Sequence, residues 1–383
     1  MNIVEPIFVQ VKNKPSELAL CAPGTDFNIV SYARMQRTVN NICWRIVAAG
    51  ISPRSRIAVM IDDPIHHAMI VIALTRLGIV TISVGPRNNS WPVKLDGLIA
   101  DKPHEFPGGR AILADPTWTA QSDQAIDKKY LYRAQPDEVC RLILASGKDG
   151  REKVIALTNR MITTGLDRQK LFLGPRAAFC GRTCLDLPLT TPLGFQILLA
   201  TLWRGGALVM TRDVRKTLAA LAAYNVQNLI ASPQGLLKFS EAIEKYPGSQ
   251  SALLAVFCAG RIASQAESER MRARLCSNLT VGYMAEDATM VAAIPAHLAS
   301  GIADAVGYVV PGVTVEIVDD RGRVLPPGKA GDVRFRSDFG ATEYMEDPTE
   351  TQRRFRDGWF YPGESGCLTR DNMLLLSGPE NGA

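Results

Sequence analysis

Apolar residues along this chain change period several times, and the changes divide it into elements. Between Ser31 and Gly50 the positions Met35, Val39, Ile42 and Ile46 recur at intervals of 4, 3 and 4. That spacing predicts one face of a helix, with Ser31 placed to cap its start and Gly50 to end it. A turn around Pro53 leads to Ile57-Ala58-Val59-Met60-Ile61, a short strand. His66 to Leu77 then reads as a helix and Ile79 to Val84 as a second strand. Wholly apolar strands alternating with helices imply a parallel sheet covered on both faces. Asn88 to Pro136 is richer in Pro, Gly, Asp and polar residues and reads as a connecting region.

The run Leu142-Ile143-Leu144-Ala145 has strand character, breaks at Ser146-Gly147-Lys148-Asp149-Gly150-Arg151-Glu152-Lys153, and resumes at Val154. Two glycines three residues apart let backbone N–H groups turn inward. Ser146, Lys148, Arg151 and Lys153 can add donors to a polyphosphate. The loop is not a Walker A motif, because Arg151-Glu152 stand where a lysine and a hydroxyl residue should follow the second glycine. Helical and strand patterns alternate again through Phe195 to Trp203, Gly205 to Met210, Leu218 to Tyr224, Asn228 to Ala231, Pro233 onward and Leu253 to Cys258. From Val313 the period becomes two: Val313, Val315 and Ile317 alternate with polar residues, Asp319-Asp320-Arg321-Gly322 makes a turn, and Asp332 to Arg336 alternates again.

Composition adds limits. At 383 residues, 46% apolar and 21% charged, the chain is of globular type. A net charge of +5 without a basic tract carrying aromatics gives no reason to expect nucleic acid. The apolar stretch Ala68 to Val84 is interrupted by Thr75-Arg76 and Gly78, so a core helix and a strand are expected rather than a membrane span. Met1 to Pro6 lacks the form of a secretory signal, and the cytoplasm is the expected location. The eight cysteines show no framework and suit reduced, buried thiols. Cys180 and Cys184 form the one close pair, with no second Cys/His pair to complete a tetrahedral metal site. His66-His67, pointing in different directions on a helix, read as surface or cap residues.

The phosphate-type loop resembles the T-S-G-T-T-G-x-P-K-G signature of the AMP-forming adenylate superfamily, which includes acyl-CoA synthetases, peptide-synthetase adenylation domains and luciferases. Ser146, Gly147, Gly150 and Lys153 match it; Ala145, Lys148-Asp149, Glu152 and Val154 depart from it. Further resemblances run in the same order along the chain. They are Val30 to Met35, Ala49 to Ile51, Arg56 to Val59, Leu77 to Val80, Leu185 to Gly194 (the family's histidine being Thr191 here), Ala259-Gly260-Arg261, Gly282 to Asp287, Gly307 to Gly331 and Asp357 to Glu364. The resemblance covers about residues 15 to 380.

What it implies is an α/β fold: two stacked αβα subdomains over about 15–300 and a smaller distorted β-barrel subdomain over about 301–383, together the superfamily's large domain. ATP and Mg2+ are implied as cofactors. Tyr283 would stack adenine near Gly260 and Gly282, and Glu364 would hold ribose in place of the usual Asp. Ser146, Gly147, Lys148, Gly150 and Lys153 would grip phosphates, and Asp287 or Glu286 would hold the metal. Thr191 and Gly282 would lie near the acyl substrate.

Several departures weaken the match. Glu286 replaces a threonine that touches the α-phosphate, Pro362 replaces another threonine, and Pro379 takes an arginine's place. A carboxylate 4–5 Å from a phosphate oxygen costs about 1 kcal/mol in water and about 4 at an effective dielectric of 20, which Asp149 and Glu286 would each impose. The sequence ends at Ala383, about where relatives begin a small domain bearing a catalytic lysine, so acyl transfer is expected to need a partner. The expected function is ATP-dependent adenylation of a small carboxylic acid, with a carrier protein, another acyl acceptor or a separate C-terminal-domain partner completing the reaction. The alternative is a non-catalytic descendant that binds an acyl group, a nucleotide or a protein. A dinucleotide oxidoreductase would need a G-x-G-x-x-G fingerprint after a strand with an acid about 20 residues on, and the sequence shows none.

Overall fold

The computed structural model describes residues 2–25, 29–86, 91–107, 109–146, 152–172, 181–246, 253–262, 264–285 and 290–377. Ser31 caps the helix Tyr32–Ala48 by accepting a hydrogen bond from the Arg34 N–H, and Gly50 ends it with φ of +71°. Asp63 and Pro64 start the next helix, Pro64–Arg76, earlier than apolar periodicity indicates, because the Asp63 carboxylate accepts from the Ile65 and His66 N–H groups. This helix is buried at every position from Ile65 to Arg76, and Pro192–Trp203 is buried from Leu193 to Leu202. Helices apolar all round must be enclosed on all sides.

Two sheets supply the enclosure. The six-stranded sheet runs in the order Arg110–Leu113, Gly97–Ala100, Arg56–Met60, Val80–Ser83, Val139–Ser146 and Glu152–Thr158. Its strands are parallel except for the last, which pairs antiparallel with its neighbour, Ser146 standing opposite Glu152. The second sheet has a parallel part made of Leu18–Cys21, Ala207–Met210, Arg182–Asp186, Asn228–Ala231, Ala255–Ala259 and Leu279–Met284. Beyond it the antiparallel strands Met290–Pro295, Ala305–Val309, Met373–Leu376, Ser365–Leu368 and Gly331–Ser337 continue the same hydrogen-bonded sheet. The α/β architecture expected from the sequence is present.

Two expectations are corrected. The connecting region contributes strands Gly97–Ala100 and Arg110–Leu113, and the first of these is wholly buried. Four residues between Asp96 and Asp101 are too short to display a period, yet a parallel ladder on Arg56–Met60 satisfies their backbone. His66 and His67 are not surface residues: they are 6% and 7% exposed.

His67 belongs to a polar network between the layers. Its Nε2 lies 2.6 Å from Ser83 Oγ, and Ser83 Oγ accepts from Arg141 Nη2 at 2.7 Å. Since arginine only donates, the Ser83 hydroxyl proton is free to go to His67 Nε2, which puts the ring proton on Nδ1. Arg141 is fully buried and also donates to Thr81 Oγ1 and to the Leu189 carbonyl, while its guanidinium carbon sits 4.5 Å above the Phe195 ring. This one side chain therefore ties the first sheet to the Leu187 to Thr191 segment of the second. Burial lowers the Arg141 pKa to about 9.

Candidate functional site

Parallel strands end together, so Asp186, Ala231, Ala259 and Met284 share one edge of the second sheet. Gly260 follows Ala259 with φ of +124°, a region that excludes most side chains, and its N–H donates to the Gly282 carbonyl at 3.0 Å. This bond holds the loop after one strand against the strand carrying Tyr283. Side chains alternate along Leu279–Met284, and a register shift follows Tyr283 where it pairs with Ala292.

The Tyr283 hydroxyl donates to the Glu364 carboxylate, across 81 positions of sequence. Glu364 is fixed in turn by its own carbonyl, which accepts from the Val333 N–H at 2.9 Å. Beside this pair lies a cavity of about 350 Å³, lined among others by Gly282, Tyr283, Arg261, Arg272, Glu269 and Asp304. That size falls within the rough 300–1,000 Å³ of small-molecule pockets. Arg261 and Asp304 pair with each other on its wall and are nearly half exposed, so the pair adds little stability. The cavity wall carries the Tyr283 ring and the Gly282 backbone, and Glu364 meets the same tyrosine at its hydroxyl; a ring with a carboxylate beside it can take a flat heterocycle that carries vicinal hydroxyls.

Farther along the edge, burial pushes the Asp186 carboxyl up to about 6 against the opposing pull of Lys238. Thr191 caps the helix Pro192–Trp203: its hydroxyl accepts from the Gly194 N–H at 3.1 Å and donates to the Pro188 carbonyl at 2.8 Å. Lys153, expected at a phosphate, is 3% exposed, with its ammonium 2.7 Å from Glu350 Oε1. Ser146 ends its strand opposite Glu152, and its side chain lies outside the described residues. Gly147, Lys148, Gly150, Glu286 and Asp287 also lie outside them. Among the described residues no three His, Cys, Asp or Glu side chains gather to hold a metal ion.

The structure thus brings Gly260, Gly282, Tyr283 and Glu364 together. Sequence reading missed Glu350 and Asp304, whose partners Lys153 and Arg261 lie 197 and 43 positions away, and Arg354, whose partners Glu350 and Tyr361 lie four and seven positions away. For Arg141 a signal existed: a lone cation in an otherwise apolar strand run has to find partners inside the core.

Residues 97–345 match the family described as AMP-binding enzyme. The chain belongs to the AMP-binding enzyme family. This AMP-binding family member is 21% identical over 421 residues to a fatty acid–[acyl-carrier-protein] ligase, ScoC, of Streptomyces coeruleorubidus, covering 98% of this chain and 76% of that protein. In fold it is similar to the O-succinylbenzoate coenzyme A synthetase MenE of Bacillus subtilis in complex with AMP. That comparison has a TM-score of 0.84 at 16% identity and covers 99% of each chain. It is equally similar to the N-terminal domain of FACL13 from Mycobacterium tuberculosis, with a TM-score of 0.84 at 18% identity over 99% of this chain and 100% of that one. Among the described residues, no helix is long and apolar enough to cross a membrane.

Within this family member Gly282 is a sensitive point, because a Cβ there would overlap the Phe257 ring and press on Met290 Sδ. Gly282→Ala is expected to lower stability by about 1–3 kcal/mol, measured by chemical denaturation.

Proposed function

We propose that this protein binds ATP at the cavity lined by Tyr283 and Gly282, with Glu364 beside it, and joins the α-phosphate to a small carboxylic acid. A carboxylate oxygen forms the new bond to phosphorus as the bond to the leaving pyrophosphate breaks. The observation that carries this reading is the direct meeting of Tyr283 with Glu364 beside a cavity floored by Gly282. Tyr283 offers its ring face to adenine, and Glu364 exchanges its bond from the tyrosine for bonds from ribose hydroxyls. Ser146, Gly147, Lys148 and Gly150 face the phosphates, and Lys153 steadies the strand that leaves their loop. Thr191 and Gly282 border the acyl end.

Magnesium would supply charge neutralisation at the phosphates, and Glu286 and Asp287, which follow the Tyr283 strand in sequence, are its candidate ligands. In this reading residues 15–300 and 301–383 form the two parts of one large domain. Transfer of the acyl group to a carrier protein or another acceptor draws on a partner, and pyrophosphate exchange reads the adenylation half-reaction without one. The name of the ScoC relative supports a carboxylic acid substrate.

The test is ATP–pyrophosphate exchange across a panel of carboxylic acids with magnesium. At least one acid should support exchange, and Tyr283→Ala should reduce it tenfold or more while leaving the thermal midpoint within a few degrees. Absence of exchange with every acid, together with no calorimetric ATP binding at millimolar concentration, would overturn the proposal.

A further inference from the structure

Lys153 stands on the strand Glu152–Thr158 as it leaves the phosphate-type loop, and its side chain is 2% exposed. Its partner Glu350 lies in the short helix Pro348–Arg354. The same Oε1 of Glu350 accepts from Lys153 Nζ at 2.7 Å, Arg353 Nη2 at 2.9 Å and Arg354 Nε at 3.1 Å. Arg354, 8% exposed at its side chain, then reaches onward: its Nη1 donates to the Tyr361 carbonyl at 3.1 Å. The Tyr361 N–H returns a bond to the Arg354 carbonyl at 2.8 Å.

Two residues later Gly363 has φ of +68°, and a Cβ there would overlap Arg354 Nη1. The next residue is Glu364. Contacts therefore run without a gap from the loop's exit strand, through Glu350 and Arg354, to the turn that presents Glu364 to Tyr283. A second link joins the same two regions: the Met345 N–H donates to the Val154 carbonyl at 2.7 Å, and Thr351 Oγ1 accepts from the Tyr344 N–H at 2.9 Å.

We infer that Arg354 is a positioning residue that sets Glu364 for the nucleotide sugar and fixes its distance from the phosphate-type loop. This rests on the reading of Glu364 as the ribose acid. A guanidinium has a rigid fork, so Arg354 can hold the Glu350 carboxylate with Nε and the Tyr361 carbonyl with Nη1 at once. A lysine ammonium, a point charge on a flexible stem, satisfies one of the two and leaves the other. A purely structural ion pair would affect all nucleotides alike; a positioning role acts on the sugar hydroxyls in particular.

The experiment compares calorimetric affinity for ATP, 2′-deoxy-ATP and 3′-deoxy-ATP in the wild-type protein, Arg354→Lys and Glu364→Gln, with thermal melts to establish folding. Arg354→Gln replaces the lysine variant if that one does not fold. The wild type should prefer ATP, Glu364→Gln should abolish the preference, and Arg354→Lys should shrink it about tenfold while binding of the deoxynucleotides falls less than threefold. If Glu364→Gln abolishes the preference but Arg354→Lys keeps it, or weakens all three nucleotides equally, the positioning role is overturned. If Glu364→Gln leaves the preference intact, the ribose assignment itself fails and takes this inference with it.

Discussion

Between pH 7 and pH 4 the wild-type protein is expected to lose about 3 kcal/mol more stability than a His67→Gln variant, measured by urea unfolding at each pH. Burial pushes the His67 pKa down to about 3; the Arg141 cation and then His66 add to this, while a hydrogen bond with the Ile61 backbone opposes it. An unfolded histidine titrates near 6.5. Above that pH neither state carries the proton and the contribution is intact. Below it the unfolded chain takes up a proton that the folded ring refuses, so stability falls with each pH unit down to about 3. Glutamine can keep a hydrogen bond to Ser83 without titrating, which separates this effect from the carboxylates common to both proteins. Equal losses in the two proteins would mean that the ring is protonated in place.

Glu350→Ala is expected to cost about 3–5 kcal/mol, read from the same denaturation curves, because it removes a carboxylate that faces three cations. Two of those, Lys153 and Arg354, have side chains only 2% and 8% exposed, so water cannot replace the lost anion cheaply. Burial raises the Glu350 pKa, but hydrogen bonds from Lys153, Arg354 and Arg353 outweigh it and hold the group at about 2. Its contribution is thus complete above about pH 4.5 and is lost only as pH falls toward 2, a window that starts about two pH units below that of His67 and overlaps it down to about pH 3. Arg353→Ala, which removes the most exposed of the three cations, should cost less than about 1 kcal/mol. A similar cost for both variants would show that Glu350 serves as an ordinary surface acid.

Much of the fold was legible because it is local. The Ser31 cap, the 3-and-4 spacing through Ile46 and Gly50 gave the helix Tyr32–Ala48 almost to the residue. The two apolar runs around the phosphate-type loop marked the strands Val139–Ser146 and Glu152–Thr158, and the structure adds that they pair antiparallel. Strand Gly97–Ala100 escaped because four residues carry no period, and its sheet position depends on a neighbour forty residues earlier. The collinear motifs also pointed to Tyr283 and Glu364 one at a time.

What the sequence by itself determined, then, is the order of helices and strands and the family to which their motifs belong, since both are written in spacings of a few residues. Only the tertiary structure decided that Tyr283 bonds to Glu364, that Lys153 is spent on Glu350, and that Arg141 and His67 share a buried network. Those pairings join residues 81, 197 and 74 positions apart. Charges in a low-dielectric interior must find partners wherever the fold brings them close, and nothing in the local pattern of either partner names the other.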